Sequence, residues 1–177
     1  MRYGRILIAA ALVTLAILPL GCSLLKSPWK GTWWGVQDAG INWSGDDIRN
    51  LETFTFSQEN NTISVRHQVQ VGSREIPGDL NGSTASASGS TLTITPKSGA
   101  QPVTFSYDRG KNQIATSLTN ADNSPVYLQP LTDANKSEME NIRAEIISVA
   151  KKSETVLHSM EAAGRTPVAK PQVKGGA

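Results

Sequence analysis

The sequence predicts a mainly β protein, an antiparallel eight-strand up-and-down meander or small barrel followed by one long C-terminal α-helix. Three observations predict it. From Trp29 to Leu131 short runs alternate apolar and polar residues, the pattern of half-buried strands. Clusters of Gly, Asn, Asp, Ser and Pro separate the runs, and most are too short for the crossovers that parallel strands require. Beyond Leu131 the apolar spacing changes to alternating steps of three and four residues, the period of a helix.

Residues 1–21 stand outside that fold. Arg2 and Arg5 precede an uncharged apolar run that begins at Ile6, and small Gly21 sits just before Cys22, so the segment reads as a secretory signal with its cleavage site. Left uncleaved, Ile6 to Leu25 is about long enough to span a bilayer. Both readings put the domain outside the cytoplasm, because Arg2 and Arg5 hold the N-terminus inside. Residues 22–28 lack periodicity and form a tether. Cys22 is the single cysteine, so the fold must be held by packing without a disulfide.

Residues 29–131 form the barrel domain. Its expected strands are Trp29 to Val36, Leu51 to Ser57, Thr62 to Val71, Leu80 to Ala87, Thr91 to Thr95, Val103 to Asp108, Gln113 to Leu118 and Val126 to Leu131. Eight neighbouring strands can close on themselves, which removes exposed edges and leaves an interior that is filled or holds one small ligand. Alternation points Phe54, Phe56, Ile63, Val65, His67, Val69, Leu92, Ile94, Phe105, Tyr107, Ile114 and Leu128 inward, among others. Trp34 has the opposite parity to Trp33 and faces outward or toward the helix. The fourth run, rich in small polar residues, reads as a weak strand or a loop. Gln37 to Asn50 is the one long connection; it carries Trp43, and Ser44-Gly45-Asp46-Asp47 is expected to begin a short helical turn over one barrel end.

Residues 132–164 carry the amphipathic helix, expected over 137–163, with Met139, Ile142, Ile146, Val149, Val156 and Met160 on one stripe. Ser137 and Glu140 have capping-box spacing, and Gly164 with Pro167 supplies a stop. Such a helix exceeds what a small barrel can cover, and its heptad-like spacing also suits pairing with a protein partner. The tail 165–177 has no apolar pattern and is expected to be disordered.

The 17 basic and 15 acidic residues become equal once Arg2 and Arg5 leave, so the chain has no field to draw nucleic acid. No cysteine or histidine spacing fits a metal, no cofactor motif is present, and no serine sits in a nucleophile elbow; the reading is non-enzymatic. An interior pocket would be lined by Phe54, Phe56, His67 and Tyr107, with Trp43 as its lid or as packing for the loop. Its ligand would be small and apolar or amphipathic. His67 there is either a satisfied core residue or a polar contact for that ligand.

Ile17-Leu18-Pro19-Leu20-Gly21-Cys22-Ser23 resembles the bacterial lipobox, with Pro19 where that family usually has Leu. The resemblance implies acylation of Cys22, attachment to membrane lipid, and a place in the bacterial cell envelope. Ser23 in the position where Asp tends to signal inner-membrane retention implies the outer membrane, facing the periplasm. Gly31-Thr32-Trp33 resembles the G-x-W signature of lipocalins and related calycins. That implies a ligand-binding barrel with Trp33 plugging one end or touching the ligand. The chain departs from the pattern in having only Tyr107-Asp108 where a Thr-Asp-Tyr motif is expected, and no Arg on the last strand. Its size and strand count are also similar to envelope lysozyme inhibitors, which leaves docking of an envelope partner, or inhibition of a wall-degrading enzyme, as the other readings.

Overall fold

The computed structural model describes residues 27–164. The signal, Cys22 and the tail from Arg165 lie outside the described residues. Ten strands precede one helix: β1 Gly31–Ile41, β2 Asp47–Glu59, β3 Thr62–Val71, β4 Arg74–Pro77, β5 Ser83–Ala85, β6 Ala87–Ser88, β7 Thr91–Ile94, β8 Val103–Asp108, β9 Gln113–Thr119, β10 Pro125–Pro130 and α1 Lys136–Ala162. Every pairing is antiparallel, in the order β4-β3-β2-β1-β10-β9-β8-β7-β6 with β5 added to β3. The sheet curls into a half-barrel. β5 bonds to β3 and β6 to β7 with only Ser86 between them, so Ser83–Ser88 bridges the two arms of the curl. The fourth run is thus a broken strand, as its small residues suggested.

Two apolar layers result from the alternation. Inside lie Trp29, Trp33, Phe54, Phe56, Phe105 and the aliphatic residues of β3, β7, β9 and β10, with Leu80 pressed in from the loop before β5. Outside, Trp34 and Leu51 are covered by Met139 and Ile146 of α1, with Val36, Ile142 and Leu131 at the edges. Each of these four buried side chains is worth about 1.5–3 kcal/mol of transfer free energy. At Gly35 a Cβ would run into the Tyr127 carbonyl and the Leu128 side chain, so only glycine lets β1 approach β10 this closely.

Strand direction sorts the loops into two ends. The segment before β1 lies with the β2–β3, β6–β7 and β8–β9 turns, and the β1–β2, β3–β4, β7–β8 and β9–β10 turns lie at the far end. α1 begins where β10 ends, on the N-terminal side, and runs outside β1 and β2 toward the far end. There Asn42 donates to Ser153 Oγ at 2.9 Å and Lys152 donates to Asp46 at 3.0 Å.

Three sequence expectations need correction. Gln37 to Asn50 holds no helical turn: β1 and β2 run on to Ile41 and Asp47 around a bulge between Asp38 and Gly40. The tight turn forms because the Asn42 side-chain oxygen takes the backbone N–H groups of Ser44 and Asp46, an alternative to a helix that Asn offers readily. Second, β4 is absent from the alternation because all four of its residues are exposed, Ile76 among them, and a single apolar residue beside a proline shows no alternation. Third, the Ser137–Glu140 capping box does not form. The helix starts one residue earlier, at Lys136, after Asn135, whose side chain instead accepts from Thr132 N–H and donates to the Pro130 carbonyl. Glu140 is engaged by Arg143.

Candidate functional site

The curl brings Phe54, Phe56, Phe105 and His67 together. Phe54 and Phe105 meet edge-on at 5.2 Å, Phe56 and Phe105 at 5.5 Å, and the His67 ring stacks on Phe54 at 4.2 Å. Phe54 and Phe105 are 0 % exposed and Phe56 is 1 %. The interior at these rings is therefore filled, one of the two alternatives the sequence left open.

His67 faces inward on β3, as its parity predicts, and is satisfied there. Its Nε2 lies 2.6 Å from Glu52 Oε2, and its Nδ1 accepts the Leu80 N–H at 3.4 Å. Those contacts assign the proton to Nε2, which donates to the carboxylate. Both ring nitrogens are engaged and the residue is 5 % exposed, so it offers no base to a dissolved substrate. Gly78 lies against the ring so closely that a Cβ would overlap it. Glu52 escaped sequence reasoning, although it shares parity with Phe54 and Phe56 and that was the available signal.

The remaining sequence candidates separate. Trp33 is buried and meets the half-buried Tyr107 edge-on at 5.9 Å. Tyr107 donates its hydroxyl to Asn112 Oδ1 at 3.1 Å. Trp43, half-buried in the β1–β2 turn, sits at the opposite end from Tyr107 and joins neither core cluster.

Two surface depressions flank the packed interior. At the N-terminal end a cleft of about 470 Å3 is lined by Ser27, Trp29, Gln58, Gly89, Tyr107 and Arg109, among others. At the far end an apolar groove of about 280 Å3 runs between α1, through Ile146, Val149 and Ala150, and the strand ends at Ile48 and Val71. Beyond the groove Val156, Leu157 and Met160 remain half-exposed and join neither core cluster. The Asp46 carboxyl beside this groove is held below its ordinary range, first by the Ser44 hydroxyl and then by the Lys152 ammonium. The Asp122 carboxyl is lowered chiefly by the Ser124 hydroxyl. Among the described residues no group of three His, Cys, Asp or Glu side chains is placed to hold a metal.

Comparison with protein-family models and with curated protein sequences finds no match.

Proposed function

We propose that this protein is a lipid-anchored, non-enzymatic component of the bacterial cell envelope whose packed half-barrel holds a helix out for docking by a helix of another envelope protein. One observation carries the reading: the interior that could have held a ligand is filled, while the end of α1 farthest from the N-terminal segment keeps an uncovered apolar stripe. Val149, Val156 and Met160 stand seven and four residues apart, a spacing that seats the side chains of a second helix. The clear stretch beyond Ser153 is only about 15 Å long at 1.5 Å per residue. That is small beside the roughly 800 Å2 per partner that stable complexes bury, so pairing of two copies through this stretch alone is disfavoured. A different partner that also enters the adjoining groove fits better. The tether before β1 emerges at the opposite end, so anchorage through Cys22 at an outer membrane would point the stripe into the periplasm.

A photo-crosslinking residue at Leu157 in growing cells should give one discrete adduct with a second protein, and the same residue at Tyr127, exposed on β10, should give none. An adduct at twice the mass of the chain, or equal labelling at both positions, would overturn the docking reading. Cys22→Ser should move the protein from the membrane to the soluble fraction; continued membrane attachment would remove the lipid anchor from the proposal.

A further inference from the structure

The cleft at the N-terminal end has a composition that the docking helix does not explain. Its floor is aromatic. Trp29 is 2 % exposed, fixed edge-on against Phe56 at 5.7 Å, and Tyr107 closes one side. Its rim is polar and cationic, through Gln58 and Arg109. Arg109 forms no ion pair among the described residues, so its guanidinium remains available to an anion. Among the described residues the buried Trp29 indole N–H has no hydrogen-bond acceptor, so a lining residue of the cleft carries an unpaired donor. The volume of about 470 Å3 falls in the range of roughly 300–1,000 Å3 typical of small-molecule sites. A Cβ added at Gly89, on the lip, would meet nothing within 4 Å.

We infer that this cleft seats the headgroup region of an anionic phospholipid, with the phosphate at Arg109 and Gln58 and the first part of an acyl chain along Trp29 and Tyr107. A guanidinium offers paired donors to phosphate oxygens, and Trp and Tyr are the side chains that pair an apolar body with a polar tip at membrane surfaces. Position argues for a lipid over a free anion. Ser27 lines the cleft, so its mouth opens at the end from which the tether leaves, and in an anchored molecule that end meets the bilayer. The turns there carry Lys30, Arg109 and Lys111 against Glu59, Asp108 and Asp133, whereas the far-end turns and adjoining strand ends carry Asp38, Asp46, Asp47 and Asp122 against Arg74 and Lys97. The less acidic end thus faces the membrane, where anionic lipid would repel the far end more strongly. This inference rests on the anchored orientation, while the binding itself needs only the cleft.

The test uses the full-length chain in a nonionic detergent, with the Trp29 indole N–H followed by NMR and assigned through Trp29→Phe. Dihexanoyl-phosphatidylglycerol should shift that signal saturably, and Arg109→Ala should weaken binding at least tenfold with the thermal melt unchanged. Arg109→Lys, which keeps the charge, should lose less, and Gln58→Leu tests the second contact if Arg109→Ala disturbs the turn. Dihexanoyl-phosphatidylcholine should bind at least tenfold more weakly, and glycerol phosphate should give no saturable shift. Equal binding of the two lipids, or indifference to both the Arg109 and Gln58 variants, would overturn the inference. Tight binding of glycerol phosphate alone would replace the lipid by a soluble anion. Because these measurements need no membrane attachment, a Cys22→Ser protein that stays membrane-bound would refute the anchor without touching a saturable Trp29 response.

Discussion

His67 is held from every side: Phe54 stacks on one face, Gly78 lies against the ring, Glu52 takes Nε2 and the Leu80 N–H reaches Nδ1. Through Leu80 the ring also fastens the loop that leads into β5, so one side chain links β2, β3 and the segment bridging the curl. Removing one member of a buried hydrogen-bonded pair strands the other. His67→Ala should therefore cost on the order of 3 kcal/mol in urea unfolding. Glu52→Leu combined with His67→Phe should cost less than the two single changes added, because the pair is then replaced by apolar volume. Gly78→Ala supplies an independent check. Overpacking against the ring should cost about 1–3 kcal/mol in the native background and much less when His67 is already alanine. Additive effects of Gly78→Ala and His67→Ala would show that the ring is not what holds residue 78 to glycine.

The β1–β2 turn and α1 are coupled as elements by polar contacts at the far end. Ser44 Oγ donates to Asp46 at 2.7 Å and Lys152 donates to the same carboxylate at 3.0 Å. Arg49 of β2 pairs with Glu145 two turns further back along the helix. Since the folded Asp46 carboxyl sits below its ordinary value of 3.8, its contribution to stability is present above that value and is lost as pH falls through the lower folded one. The stability difference between the native chain and Asp46→Asn should accordingly be constant at neutral pH and vanish on the acid side of 3.8. A difference that persists unchanged in strong acid would show that the contact matters through the shape of the turn and not through its charge. High salt should shrink it at neutral pH, as for any exposed pair.

At the scale of the whole molecule, α1 has two halves with different work. Met139, Ile142 and Ile146 cover Trp34 and Leu51, whereas residues past Ser153 touch neither core cluster. A chain ending after Ser153 should keep nearly all its stability, losing under about 1 kcal/mol, while no longer retaining the partner that crosslinks at Leu157 in the full chain. Deleting everything from Thr132 onward bares the outer layer, and at about 1.5–3 kcal/mol per buried side chain this should lower the melting temperature severely or abolish folding. If the shorter deletion destabilises as much as the longer one, the projecting half is part of the fold and the docking reading fails. The polarity of the molecule follows from the same topology, with the segment before β1 and the aromatic cleft at one end and the uncovered stripe at the other.

The sequence by itself determined most strands of the meander, the inward and outward faces and the extent of the helix to within a residue, while it missed β4 and read β5 and β6 as one run. Period and spacing are local properties, and strands such as Thr62–Val71 and Val103–Asp108 obey them without help from neighbours. Parity likewise put His67 and Phe54 on one face. Only the tertiary structure decided that this face is packed solid, because filling depends on how the side chains of all the strands meet and no single run encodes that. It also decided the reach of β1 and β2 into the far-end turn, where cross-strand pairing outweighs residues such as Asp38 and Asp47 that do not favour strands. The cleft of Trp29, Gln58, Tyr107 and Arg109 was invisible for the same reason: its members come from the pre-strand segment, β2, β8 and the turn after it, and only curvature of the sheet brings them together.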